Sequence, residues 1–500
     1  MRKILKFLKG RLFLTIVNLM LQFLLIFTIV MFFNDLLIYY VILWVLSLIF
    51  CISVINKRTN SGYKIAWLML LFIVPFFGPA LYITLNGDSF RLRGRRKMKA
   101  IVDNVDKNLH IENKISIDDD KYAKLQSDYI DKYSHSYAVK NTSSKYFSSG
   151  EEYFESLLVD LQGAKKHIYL EFFIIKQSYM WDEIKKILIS KVKDGVDVRV
   201  IYDDVGSIDE MTRGEIRKLR KKGVKITPFN YFVPIISTIL NNRDHRKICV
   251  IDSKIAYSGG INIADEYINK YEKFGYFKDS GIALYGEGAY NFEVFFATLW
   301  NYVSKDKISL EKPSYEEKDK GIFQPYTDSP IDEENVGKHV YMNAIAQARE
   351  YVYISTPYFV VDDEMLTAIT NASKMGVDVR IVLPGIPDKK TVNQVTKSFY
   401  DRLVKAGVKV YEYKKGFNHS KLLLTDDKIA TVGSVNFDYR SFYLSFECGV
   451  WMYKTDTIKD IAKDFEQMFE ESILIDQKKC KASIFTRLFR AILSAFAPMF

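Results

Sequence analysis

The chain has 500 residues, 48% hydrophobic and 15% aromatic, enough for two or three domains with buried cores. Its formal charge is +11, yet residues 1–99 hold fourteen lysines and arginines against two acids, Asp35 and Asp88, so the rest is nearly neutral, which argues against a basic nucleic-acid-binding body. Cys51, Cys249, Cys448 and Cys480 stand far apart without paired spacing, which excludes a zinc pattern or a disulfide framework and fits a reducing compartment.

In chain order, Leu12–Phe33 and Leu36–Ile55 are two long apolar runs without a charge except Asp35 between them. Each is long enough for a helix to cross a hydrocarbon core of about 30 Å. Residues 12–33 and 36–55 are therefore predicted spans. A third apolar stretch, residues 65–85, contains "VPFFGPALY", whose Pro75, Gly78 and Pro79 break or kink a helix. Basic residues precede the first span and follow the second, and "RLRGRRKMK" (91–99) follows the third stretch. Basic flanks favour the cytoplasmic side. Two spans and a third segment that dips in without crossing satisfy every flank and leave the body in the cytoplasm; full crossing by 65–85 is the alternative.

Residues 100–147 are polar and read as a connector. From residue 148 a globular pattern occurs twice. "HIYLEFFII" (167–175) reads as a buried strand, "DEIKKILISKVKDG" as a helix and "VDVRVIYDD" (196–204) as a strand. "YVYISTPYFV" (351–360), "DEMLTAITNASKMG" and "VDVRIVLPG" (377–385) repeat that order, and "GVDVR" occurs at 195 and again at 376. Alternating strands and helices imply βαβ units and parallel pairing. The expected divisions are a first half at 148–303, a charged linker at 304–325, a second half at 326–475 and an amphipathic tail at 476–500.

Each half carries one copy of a rare polar pattern. "HRKICVID" (245–252) and "HSKLLLTD" (419–426) both read His-x-Lys-x-x-x-x-Asp. Six residues later come Gly259-Gly260-Ile261-Asn262 and Gly433-Ser434-Val435-Asn436. On a strand, residues two apart share a face, so His245 pairs with Lys247 and His419 with Lys421. Asp252 and Asp426 begin predicted hairpin turns, and the Gly-x-Asn groups are placed on the returning strands. An imidazole, an ammonium and an amide on one surface suit a phosphate group. If the halves pack about a pseudo-two-fold axis, both sets meet at one site. One histidine then attacks phosphorus while the other carries the proton to and from the hydroxyl groups. No carboxylate cluster suited to a two-metal site is present, and no metal or cofactor is expected. Asp279 and Glu447, on the strands that follow, are candidate acceptors to orient the histidines. His110, His135, His167 and His339 have no repeated counterpart and read as surface or packing residues.

These residues resemble the phospholipase D superfamily, which is defined by two such motifs with Gly-x-Asn following. The order of parts is similar to that of the bacterial cardiolipin synthases: "VPFFGPALY" before the halves, "HRKICVIDSKIAYSGGINIADEY" and "NHSKLLLTDDKIATVGSVNFDYRSF" as motif blocks, and "YISTPYFVVDDEM" opening the second half. The resemblance implies an α/β fold of two pseudo-symmetric phospholipase D-like βαβ sandwich halves, preceded by N-terminal transmembrane helices. It implies His245 as nucleophile and His419 as general acid and base, an assignment open to exchange. It also implies phosphate binding by Lys247, Lys421, Asn262 and Asn436, with Asp252 and Asp426 completing the catalytic motifs by organising the hairpins.

The reaction implied is phosphatidyl transfer between two phosphatidylglycerols, giving cardiolipin and glycerol at a bacterial cell membrane. Partners are then phosphatidylglycerol and anionic membrane lipid, not nucleic acid. Three apolar stretches depart from the two usual in the family. The alternatives are a hydrolytic phospholipase D or nuclease with the same site, and a silent membrane scaffold on the same fold. "IFTRLFRAILSAFAPMF" (484–500) interleaves Arg487 and Arg490 with apolar residues at near-helical spacing, as an interfacial helix or a helix packed on the body.

Overall fold

The computed structural model describes residues 37–57, 59–73, 115–230, 242–315, 320–332 and 334–499, with isolated positions before residue 102. Most of the expected span at 12–33 and most of the second half of the 65–85 segment lie outside the described residues.

Two sheets of identical strand order form the body. In the first, seven strands run in sequence as β1 (Thr142–Phe147), β2 (His167–Phe172), β3 (Asp197–Asp203), β4 (Lys225–Phe229), β5 (Lys247–Ile251), β6 (Ile255–Gly259) and β7 (Gly281–Gly286). Their spatial order is β1-β7-β6-β5-β2-β3-β4. In the second come β8 (Ile322–Asp328), β9 (Tyr351–Ser355), β10 (Asp378–Pro384), β11 (Lys409–Tyr413), β12 (Leu422–Thr425), β13 (Ile429–Gly433) and β14 (Ser445–Tyr453). They lie in the order β8-β14-β13-β12-β9-β10-β11, with Ser472–Leu474 added beside β11. The repeat read from "GVDVR" is thus a repeat of topology. The crossover helices Tyr179–Lys193 and Asp363–Lys374 each join two parallel neighbours. Both crossovers close on a glycine at positive φ, Gly195 (87°) and Gly376 (99°), a backbone region that side-chain-bearing residues avoid.

The strands are apolar along their length because both faces of each sheet are covered. The outer face of the first sheet packs on helices Gly150–Gly163 and Tyr179–Lys193, through residues such as Leu157, Leu161, Trp181 and Ile184. The outer face of the second packs on Val336–Gln347, Asp363–Lys374 and Lys390–Lys405. Between the sheets lies a shared core that joins Ile248, Val250 and Leu284 of the first half to Leu422, Leu424, Val432 and Val450 of the second, with the helix Glu287–Val303.

The expected divisions need correcting. Strands β1 and β8 begin before residues 148 and 326, because edge pairing with β7 and β14 adds a strand to each sheet. The supposed polar connector at 100–147 contains the helix Lys121–Ser134, started by Asp120, which accepts the N–H groups of Tyr122 (2.9 Å) and Ala123 (3.1 Å). That helix buries Ala123 and Ile130 in the core of the second half. Its apolar residues are too few and too spaced to stand out from the sequence alone.

In the N-terminal region, the helix Leu37–Asn56 has 20 residues and no charge. Ser61–Ile73 folds back against it, and buried Ser47 donates to the Leu71 carbonyl at 3.0 Å. Several side chains of the first helix, those of residues 37–40 among them, lie outside the described set, and among the described residues no helix is long and apolar enough to cross a membrane. The third apolar segment therefore begins as a helix at Ser61, earlier than expected. The tail forms the helix Ile484–Phe496.

The motif aspartates act at the fold level. Asp252 and Asp426 sit at the far ends of β5 and β12 from the histidines. Both open turns in which two successive residues have positive φ: 54° and 60° at Asp252 and Ser253, 52° and 49° at Asp426 and Asp427. Asp252 accepts the N–H groups of Lys165 (2.7 Å), Lys166 (2.7 Å) and His167 (2.9 Å). Asp426 accepts those of Arg349 (2.7 Å), Glu350 (2.9 Å) and Tyr351 (2.8 Å). Each carboxylate thereby ties its hairpin turn to the start of β2 or β9. Both aspartates thus set register at the hairpin turns. Replacing either by Ala strands three donors, and a loss of about 1–3 kcal/mol is expected in chemical denaturation, with the Asn variants in between.

Candidate active site

Both motif histidines lie just before their strands, not within them, and each is held by the other half. The short strand Arg243–Asp244 pairs in parallel with Ser445–Phe446, and His245 N–H donates to the Phe446 carbonyl at 2.9 Å. Gly416–Asn418 pairs in parallel with Tyr276–Lys278, and His419 N–H donates to the Lys278 carbonyl at 2.6 Å. The segment leading into each motif therefore runs beside the segment leading into the opposite acid.

The rings follow the backbone. His245 Nδ1 lies 3.0 Å from both carboxylate oxygens of Glu447. His419 Nδ1 lies 2.7 Å from Asp279 Oδ2. The two expected orienting acids are both in place, each serving the histidine of the other half. With Nδ1 occupied, Nε2 is the nitrogen left to a substrate on each ring. Both acids are fully buried, whereas the His245 side chain is 15% exposed and that of His419 8%, so the site opens first onto His245. Phe173 packs edge-on to His245, and Tyr267, Phe277 and Phe417 surround His419.

The lysines complete the pair of sets. Lys247 and Lys421 donate to the carbonyls of His245 and His419 respectively, and Lys421 Nζ also lies 2.8 Å from His419 Nδ1. Burial holds His245 well below the usual histidine value, with Lys247 and Lys421 adding to the effect. Burial and then Lys421 lower His419 to about 4, with Lys247 contributing. Each histidine thus feels the ammonium groups of both halves. Burial also lowers Lys247 to about 8 and Lys421 to about 7 and raises Glu447 to about 7. Desolvation dominates these shifts because burial strips water from the charged forms.

The asparagines lie beyond the returning strands, which end at Gly259 and Gly433, rather than on them. Asn262 accepts the Ile174 N–H at 3.1 Å and donates to the Tyr267 hydroxyl at 2.7 Å. Buried Asn436 has no partner for Oδ1 among the described residues, and its backbone N–H donates to Ser441 Oγ at 3.1 Å. His167 lies beside Glu293 at 3.3 Å and stacks on Tyr169, a packing role as expected; His110 lies outside the described residues. Among the described residues no cluster suits a metal ion.

Two features escaped the sequence reading. Ser434 and Ser441 donate to the two Glu447 oxygens, Ser441 at 2.8 Å. In the other copy Gly260 takes the place of Ser434, and a Cβ there would meet Asp279 Oδ1 at 2.2 Å. The exchange of Gly for Ser between copies, matched by Asp for Glu, was the available signal. Second, the residues flanking the histidines form buried networks of different kind. Arg246 binds Glu171 at 2.6 Å and Asp244 at 3.2 Å, while the equivalent Ser420, Ser355 and Asn418 make a neutral triad, with contacts of 2.9 Å, 2.8 Å and 2.6 Å. Arg246 also donates to Thr327 Oγ1 at 3.2 Å, and Thr327 Oγ1 donates to the Glu447 carbonyl at 3.0 Å, a link from the charged network to the acid that holds His245.

The chain is similar to known proteins. A family described as "Cardiolipin synthase, PLD-like domain" matches residues 157–300 and 341–469, and "Phospholipase_D-nuclease N-terminal" matches 42–85. Cardiolipin synthase 2 of Bacillus anthracis is 35% identical over 435 residues, 85% of this chain and 84% of its own. A cardiolipin synthase of Geobacillus kaustophilus is 35% identical over 358 residues, 70% of this chain and 71% of its own. The fold is also similar to that of a phosphatidylserine synthase from Haemophilus influenzae, with a TM-score of 0.56 at 15% identity, over 75% of this chain and 98% of that one.

The lysine values carry a sign. Both ammonium groups lose their charge as pH rises through about 7 and about 8. Affinity for sulfate, whose own charge is constant, is expected to fall at least ~10-fold between about pH 6.5 and about pH 9. Titration calorimetry that shows no decline contradicts the assignment of Lys247 and Lys421 to anion binding.

Proposed function

The chain belongs to the cardiolipin synthases of the phospholipase D superfamily, and from that membership together with the exchanged histidine–carboxylate pairs we infer how it works. It is a phosphatidyltransferase that joins two phosphatidylglycerols into cardiolipin and releases glycerol. The observation that carries the mechanism is the pinning of both Nδ1 atoms by acids from the opposite half, which leaves two Nε2 atoms for one phosphoryl group.

Desolvation keeps His245 neutral at ordinary pH, so its free Nε2 electron pair attacks phosphorus. The P–O bond to the headgroup glycerol breaks as the P–N bond forms, and His419 gives its proton to the departing alkoxide. The substrate brings negative charge. It offsets Lys421 beside His419 and so raises that imidazole toward protonation. In the second step His419 takes the proton from a glycerol hydroxyl of another phosphatidylglycerol. The hydroxyl oxygen attacks phosphorus, the P–N bond breaks and cardiolipin leaves. Lys247, Lys421 and the amides of Asn262 and Asn436 face the phosphoryl oxygens, where charge builds in a dry site. Asp279 and Glu447 fix the tautomers.

The N-terminal region holds the enzyme in the bacterial cell membrane, with residues 12–33 and 36–55 as spans, the 61–85 segment folding back, and the two halves in the cytoplasm. The uncharged helix Leu37–Asn56 supports this, as do its exposed Ile42, Val45, Ile49 and Ile52, which face lipid better than water. The near-neutral body favours a lipid over a nucleic acid.

Purified full-length protein given phosphatidylglycerol in mixed micelles is expected to form cardiolipin and glycerol in equal amounts. His245→Ala and His419→Ala should each lower the rate at least ~10³-fold. Phosphatidic acid as the main product, or full activity in either variant, contradicts this mechanism.

A further inference from the structure

The C-terminal helix Ile484–Phe496 has two unlike faces. On the inner one, Arg490 donates to Gln394 at 3.0 Å, Ser494 meets Ser398 at 3.1 Å, and Leu493 packs with Ala497 against Val395. On the outer one, Ile484, Phe485, Leu488, Phe489 and Ile492 recur at helical spacing and are 73%, 85%, 59%, 51% and 51% exposed. Such a stripe in water has no stabilising partner.

Charge and continuity say what covers it. No acid follows Asp476, while Lys478, Lys479, Lys481, Arg487 and Arg490 do. The helix packs against Ser61–Ile73, whose own Ile65, Phe72 and Ile73 are exposed. The junction is tight: a Cβ on Gly62 would meet the Tyr439 hydroxyl at 2.6 Å and Pro498 Cγ at 3.0 Å. Nearby, Asn60 donates to Tyr443 (2.9 Å) and Asp362 (3.2 Å). Tyr439–Tyr443 is the short helix that follows Asn436. The apolar tail, the apolar N-terminal helix and the loop of the second phosphate-binding asparagine therefore meet at one point.

We propose that Ile484–Phe496 lies in the headgroup layer of an anionic bilayer, apolar stripe inward, and sets the height of the catalytic site above the lipid. The inference rests on the substrate being a membrane lipid. A helix with a basic flank and an apolar face is suited to that plane, where each basic group near the surface adds to binding.

The test places a fluorescent label at Phe485→Cys or Phe489→Cys in full-length protein carrying Cys480→Ser, with Lys193→Cys on the body as reference. In vesicles of phosphatidylglycerol and phosphatidylcholine, the labels at 485 and 489 should shift to the blue and be quenched by nitroxide-bearing lipid, while the label at 193 should respond only to aqueous iodide. Iodide quenching at 485 and 489 without lipid quenching overturns the proposal. So does a blue shift that appears without lipid and follows protein concentration, which means pairing between copies. In parallel, Phe485→Ser/Phe489→Ser should lower turnover about tenfold on vesicles but leave turnover on dispersed short-chain phosphatidylglycerol unchanged; equal loss on both overturns it. Insertion is read without catalysis, so an inserted protein that makes no cardiolipin faults the functional reading alone.

Discussion

Each histidine is held by a carboxylate that its own half does not contain. His245 needs Glu447, and His419 needs Asp279. Neither half alone can fix the tautomer of its ring, so the site exists only when the two sheets are packed. The parallel strand pairs that carry these residues, Arg243–Asp244 with Ser445–Phe446 and Gly416–Asn418 with Tyr276–Lys278, make the exchange a backbone property as well. A shared core between the sheets fixes their relation, and gene duplication of one unit followed by such packing would give this symmetry directly.

Burial is what makes the groups useful. In water an imidazole and an ammonium side by side would share the proton load with solvent. Here dehydration, with the neighbouring ammonium groups adding to it, holds both histidines below their usual value, and dehydration lowers Lys247 to about 8 and Lys421 to about 7. A phosphodiester brings negative charge that offsets both ammonium groups. The halves are not equivalent, however. The ionic network of Arg246, Glu171 and Asp244 flanks one histidine and the neutral Ser420, Ser355 and Asn418 the other, which separates the roles of two otherwise matched rings.

Much of this was legible in the residues. The doubled His-x-Lys pattern, the "GVDVR" repeat and the two downstream acids led to the fold and to the pairs that meet in it. What stayed hidden depends on packing at long range. Spacing cannot say that Asp279 serves His419 and not His245, because the pairing crosses between sheets. It could not show that Asp252 and Asp426 hold backbone N–H groups far from the rings, since a strand pattern fixes a side chain's face but not its contacts. The helix Lys121–Ser134 passed as a connector because only part of one face is buried. Ser434 and Ser441 were missed because a serine signals little until the acid beside it is seen.

The central claim is that two imidazoles act on a single phosphorus. A crystal structure of the full-length protein with vanadate, which adopts the five-coordinate geometry of phosphoryl transfer, measures it directly. The account predicts one vanadium bonded to Nε2 of His245 on one side, with Nε2 of His419 within hydrogen-bonding distance of the opposite apical oxygen. Two vanadates, each held by one half alone, or rings too far apart to share one ion, would contradict it.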